Sequence, residues 1–363
     1  MLMLVGLLAA VVAPQDQATT TQLTDDTEHG AFVITVGPLD LPPMGSEEHM
    51  TMDMPGMFPP IGTVRVPHDA YLYGFDYEIV DSAGSRLSNR LLHHLNVIDA
   101  THRELFLPIS QRMLAVGRET GAKSMPWLLL GYPVSAGQEM LVTAMMHNES
   151  DVSYHRAKLH LVLKYVPARR PWPLFKVYPF QLDVAFPAGD KAFDVPPGHS
   201  SRSYEGRPSM AGRIMVIGAH LHPYATSIRF EDVTTNRLVW EGTPIEDAQA
   251  ELEGVTLGRL YRTLGVKIYP DHTYRVTVTY NNTTGATLPD GGMGVVGGVF
   301  MPSGGGPWPL ADRNDPLYRL DREHYEREVH GTYAELMAGA RGQANPDSGM
   351  AGMKGMPGMK HPR

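Results

Sequence analysis

The stretch Arg213-Ile214-Met215-Val216-Ile217-Gly218-Ala219-His220-Leu221-His222-Pro223 reads as a β-strand: apolar, partly β-branched, and stopped by a proline. Successive side chains on a strand point to opposite faces, so His220 and His222 share one face while Ala219 and Leu221 share the other. Two imidazoles from one strand face supply two corners of a metal site, and imidazole suits Zn, Cu, Fe and Ni. Taken alone, the pair reads equally well as two hydrogen-bonded histidines at a strand end.

The surrounding 363 residues repeat the strand signature. Glycine (37) and proline (30) are abundant, as expected for many turns between short strands. Hydrophobic residues make up 42% and charged residues 19%, which permits a packed core and argues against global disorder. The formal net charge of -8 disfavours a nucleic-acid partner. There is no cysteine, so a thiolate metal site, blue copper included, is excluded.

The strand runs fall into two series separated by Pro167-Ala168-Arg169-Arg170-Pro171-Trp172-Pro173, which reads as a semi-rigid linker. The expected fold is all-β: two consecutive antiparallel, jelly-roll-like β-sandwich domains, residues 62–167 and 174–303. Strands are expected at 63–66, 71–80, 91–98, 139–146 and 157–166, then at 175–186, 213–222, 226–232, 237–241, 260–268, 273–281 and 294–300. A short helix or loop is expected at 246–253, and turns at 187–190 and 289–292.

Residues 1–13 are apolar with small residues at the end, as in a signal-peptide core. Too short to span a bilayer, they imply export to a periplasmic or extracellular location. Residues 14–61 read as a disordered, Met-rich segment with a possible strand at 31–36. Residues 304–363 read as a C-terminal helix, capped by Asp315-Pro316 and running over 317–340, then a Met-rich tail.

Two methionine-rich segments stand apart. One holds Met44, His49, Met50, Met52, Met54 and Met57; the other holds Met350, Met353, Met356, Met359 and His361. Glycine and proline keep both from packing as helices. Thioethers are good soft ligands for Cu(I), so both are candidate copper contacts; the alternative is plain low-complexity sequence.

Further candidates join His220 and His222. His93 and His94 are adjacent, so they reach one metal only at a bulge, twist or strand end. His147 closes the strand at 139–146. Met293 follows the turn Pro289-Asp290-Gly291-Gly292. Met301 is its rival, though core packing also explains Met301. Tyr280 and Asn281 read either as groups orienting ligands or as a strand-to-turn element. His102, His272, His324 and His330 read as solvated, and His155, His160 and His199 as structural or surface residues. Other His-x-His chemistries fail on inspection. A hydrolase of the His-x-His-x-Asp-His type meets Tyr224 and Ala225 where it needs its acid and third histidine. No His-Glu-x-x-His is present.

The ordered set His93-His94, His147, His220-x-His222, Met293 resembles the copper type II, ascorbate-dependent monooxygenases, the group of peptidylglycine α-hydroxylating monooxygenase and dopamine β-monooxygenase. The resemblance covers about residues 62–302. It implies two copper ions on two β-sandwiches, one held by His93, His94 and His147 for electron transfer, the other by His220, His222 and Met293 for oxygen chemistry. The implied reaction hydroxylates a C–H bond of a small molecule or peptide, with O₂ as co-substrate and an external reductant such as ascorbate. The family is usually disulfide-rich; here Gly294 follows Met293 where a cysteine is usual. A copper carrier or storage protein on the same scaffold, exchanging copper with a donor or acceptor protein, is the alternative expectation.

Overall fold

In a computed structural model, the described residues are 19–43, 59–117, 120–169, 173–185, 191–248, 252–304 and 306–330. The signal-like segment, both methionine-rich segments and Trp172 lie outside them.

Ten strands build the first sandwich: β1 (Thr20–Asp26), β2 (Ala31–Leu41), β3 (Gly62–Arg65), β4 (Ala70–Val80), β5 (Leu92–Arg103), β6 (Ser110–Gly117), β7 (Lys123–Ser124), β8 (Leu130–Val134), β9 (Glu139–Met146) and β10 (Tyr154–Pro167). One seven-stranded sheet runs β1-β2-β10-β4-β8, with β7 on β4 and the short strand at Phe175–Lys176 paired in parallel beyond β8; the other runs β3-β9-β5-β6. The strand periodicity explains how they close. On β10, Ala157, Leu159, Leu161, Leu163 and Tyr165 are buried, while Lys158, His160, Val162 and Lys164 alternate with them on the other face. They meet Leu95 and Val97 of β5 and Met140 and Val142 of β9 in one core.

Thirteen strands follow: β11 (Phe175–Lys176), β12 (Tyr178–Asp183), β13 (Phe193–Val195), β14 (Gly198–Gly206), β15 (Gly212–Leu221), β16 (Ala225–Asp232), β17 (Arg237–Gly242), β18 (Pro244–Glu246), β19 (Leu252–Val255), β20 (Val266–Ile268), β21 (Tyr274–Asn282), β22 (Leu288–Gly292) and β23 (Gly294–Pro302). Sheets β12-β23-β15-β20 and β14-β21-β16-β17 enclose the second core, with β13-β22 as a two-stranded side sheet and β18-β19 as a side hairpin. The order matches β2-β10-β4-β8 and β3-β9-β5-β6 strand for strand, so both sandwiches follow one jelly-roll path. The turns after β9 and β21 also match. Asn148 donates to Val152 O and accepts from Ser150; Asn282 donates to Ala286 O and accepts from Thr284.

The sandwiches are not independent. The loop between β5 and β6 sends Leu105, Phe106, Leu107 and Ile109 into the second core. The Phe106 ring lies 5.9 Å from Phe230 and 6.1 Å from Phe180 and Tyr274. A smaller apolar cluster joins Leu130 to Val177 and Met215. Arg112 N and Gln181 N both donate to the buried Glu104 carboxylate, at 2.6 and 3.3 Å. Helix α1 (Pro316–His330) starts where Asp315 caps Leu317 N at 2.8 Å, and it docks through a bidentate Asp321–Arg112 pair.

Several local expectations are corrected. Residues 20–41, read as largely disordered with one possible strand, form β1 and β2, because Ile34, Val36, Leu39 and Leu41 pack inward against β10. Residues 260–263 form a 3-10 turn rather than a strand, closed by Leu264 in the left-handed region. Of residues 246–253, Glu246 ends β18 and Leu252 and Glu253 open β19, 249–251 lying outside the described residues, and 289–292 belong to β22. The expected strand at 175–186 is β11 and β12, interrupted at Val177.

Candidate metal centre

The apolar face of β15 packs Ile217 and Leu221 into the second core, which leaves His220 on the outer face; His222 follows two residues later, just past the strand end. That face looks toward the first sandwich. The two rings lie 5.3 Å apart, near perpendicular.

On the first sandwich, β5 pairs Leu92 with Met146 but His94 with Met145, so His93 is the extra residue of a β-bulge. The bulge turns both neighbours to one side: His93 Nδ1 and His94 Nδ1 are 2.9 Å apart. His147 follows β9, with its backbone N bonded to Leu91 O at 2.8 Å, and its ring lies 6.2 Å from His93. Glu149 Oε1 lies 3.7 Å from His147 Nδ1.

The two groups meet. The rings of His94 and His220 are 5.8 Å apart, and ligand atoms of His94, His220 and His222 all lie within 4.8 Å of one another. Five half-buried imidazoles therefore run without a break from His147 through His93, His94 and His220 to His222.

Met293 sits between β22 and β23. Leu221 pairs with Gly294, so one further step of register sets Met293 opposite His222. The buried Tyr280 fixes it: its hydroxyl donates to Met293 O (2.5 Å) and accepts from Met293 N (2.8 Å). The His222 backbone lies against the same oxygen, and burial pushes the phenol up to about 12. Tyr280 thus ties two candidate ligands, a role the sequence left open against a simple strand end. Gly294 is required by packing, since a Cβ there would lie 2.8 Å from Val278 Cβ. No cysteine fits where the resembled family usually has one. Met301 pairs with Arg213, at the far end of β15, and packs in the apolar cluster between the sandwiches. Seven residues of strand, roughly 23 Å, separate it from His220.

One residue escaped the sequence reading. Asp183 of β12 and His220 of β15 both pair with Val295 of β23, so all three share a face. The Asp183 side chain is 2% exposed, with Lys191 Nζ at 3.8 Å. Burial pushes its carboxyl above the usual carboxylate range, against Lys191 and His220. An isolated Asp in an apolar run carries no signal of this neighbour, because only the sheet order brings the two strands together.

Two other histidines are not simply solvated. His102 bonds the buried Asp99 at 2.7 Å and His272 bonds Asp232 at 2.8 Å. Burial alone would raise the Asp99 carboxyl, but the bond and charge of His102 and two backbone N–H groups hold it below its ordinary value. His160 bonds Thr35 at 2.9 Å, and His155 and His199 are exposed.

No family model matches the chain, and no curated protein matches it. Among solved structures it is similar to Sulfolobus turreted icosahedral virus (8% identity, 66% of this chain and 55% of that chain, TM-score 0.17). It is also similar to infectious bursal disease virus Gx strain (12%, 81% and 72%, 0.21) and to a fucolectin from striped bass serum (10%, 66% and 85%, 0.17). The chain spans about half the length of the first of these. At such TM-scores the likeness carries no argument. Among the described residues, no helix is long and apolar enough to cross a membrane.

The donor set fits copper. Imidazoles and a thioether are neutral donors, and the thioether favours Cu(I).

Proposed function

We propose that this protein is an exported copper-dependent monooxygenase of the type its sequence resembles. The observation that carries the reading is the convergence of His93, His94 and His147 from one sandwich with His220 and His222 from the other, beside a Met293 held by Tyr280. Two bound coppers would supply one-electron transfer and O₂ activation. The balanced reaction converts a C–H bond, O₂, two electrons and two protons to C–OH and water, with a reductant such as ascorbate as electron source. The chain's own part is positional. The β5 bulge orients His93 and His94, the β9 terminus presents His147, and the alternation of β15 aims His220 and His222 at the opposing sheet. Tyr280 keeps Met293 in place.

The test is O₂ uptake by copper-loaded protein with ascorbate, across peptides, amines and small C–H compounds. Substrate-dependent uptake is expected, and Met293→Ile, which roughly conserves apolar volume, should keep the fold and lose it. No substrate-dependent uptake with both coppers bound would overturn the reading.

A further inference from the structure

We propose that the end of the second sandwich remote from the metal centre binds a small phosphate-type dianion, in a cleft walled by Arg237, Lys267 and His272. The cleft has a volume of about 490 Å³ and is also lined by Asp232, Thr235 and Tyr269. That volume falls in the usual range of small-molecule sites, roughly 300–1,000 Å³. Register sets the cleft apart from the candidate copper ligands. Lys267 pairs with Arg213, and seven residues of β15, roughly 23 Å, separate Arg213 from His220.

The walls follow from the strand ends. Asp232 closes β16 and is 1% exposed. One of its carboxylate oxygens accepts from Thr235 N at 3.2 Å, in the turn into β17. The other lies 2.8 Å from His272 Nδ1, in the turn before β21. Burial alone would raise this carboxyl, but His272 and Thr235 hold it below its ordinary value. An ionised carboxylate only accepts, so Nδ1 carries a proton and Nε2 is the nitrogen left for a ligand. The Tyr269 ring lies 4.9 Å from the imidazole. Arg237 opens β17 and Lys267 sits in β20; Arg237 Nη2 donates to Lys267 O at 3.5 Å, which gathers the two cations at one place. The acids of the adjoining hairpin are engaged elsewhere, Glu231 and Glu241 both with Arg229. Among the described residues, neither Arg237 nor Lys267 forms an ion pair with a carboxylate.

The ligand class follows from these groups. Two like charges side by side repel, and a doubly charged anion between them removes the repulsion. A guanidinium and an ammonium are both strong phosphate donors. In the neutral ring, Nε2 accepts an O–H. Hydrogenphosphate carries one and so does the organic part of a hydroxylated phosphate monoester, whereas sulfate does not.

Isothermal titration calorimetry of the full-length protein tests the site, at fixed ionic strength and slightly alkaline pH, where phosphate is a dianion. The probes are inorganic phosphate, glycerol phosphate and sulfate. Saturable binding of one phosphate per chain is expected, with sulfate at least about tenfold weaker. Lys267→Met and Arg237→Met change exposed side chains, so each should fold and each should weaken phosphate binding at least about tenfold. Glycerol phosphate binding tighter than inorganic phosphate would mark an organic monoester as the ligand, and the reverse order the free ion; both support the site. Three results would overturn the proposal: no saturable phosphate binding, sulfate bound as tightly as phosphate, or affinity unchanged in both variants.

Discussion

Tyr280 shows how much one hydroxyl decides at this site. It is fully buried, and its oxygen satisfies both backbone groups of Met293. Tyr280→Phe keeps the ring and leaves that N–H and C=O without this partner, a loss of about 1–3 kcal/mol, read as a lower denaturation midpoint. Copper affinity at the His222 side should fall with it, since Met293 loses its anchor. Glu104 is the second decisive residue. Burial raises its carboxyl to about 7 from 4.5, opposed by the Arg112 and Gln181 N–H groups. The folded protein therefore holds this proton up to about pH 7, whereas the unfolded chain releases it near 4.5. Between those values the folded state binds more protons, so stability falls as pH rises. The span corresponds to on the order of 3 kcal/mol. Denaturation of the parent and Glu104→Gln at pH 4.5 and pH 8 should show that much more pH-dependent loss in the parent; equal slopes would refute this account.

At the scale of elements, the bulge in β5 and helix α1 do different work. The bulge overrides the strict alternation of a strand, which would place His93 and His94 on opposite faces. The helix is held by the buried Asp321–Arg112 pair together with the buried Tyr318 and Tyr325. The Asp321 and Arg112 side chains are 2% and 7% exposed, and both guanidinium–carboxylate contacts are 2.6 Å. Asp321→Ala strands a buried guanidinium, so a loss of about 3–5 kcal/mol is expected, seen by urea denaturation. Replacing both partners by apolar residues of similar volume should recover part of it, because no charge is then left buried. A single-variant loss under 1 kcal/mol would mean the pair contributes little to docking.

At the scale of the molecule, two sandwiches of one topology carry their candidate ligands on different sheets, and those sheets face each other. Metal content tests the whole arrangement. The proposed centre predicts two coppers per chain by elemental analysis, unchanged when residues 349–363 are removed. A content above two that drops on that truncation would favour the carrier reading, with the methionine tail as the extra site.

Strand alternation and proline and glycine punctuation made the all-β class legible, because apolar periodicity is local chemistry. The shared face of His220 and His222 was legible for the same reason, and the Asp315-Pro316 helix start needed only its own two residues. The approach of His94 to His220, the pairing of Asp183 and His220 across Val295, and the displacement of Met301 to the far end of β15 were not. Each depends on which strands lie side by side and in what register. The sequence separation gives no measure of that: His220 lies 126 positions after His94, and the packing of one sheet against another removes the distance.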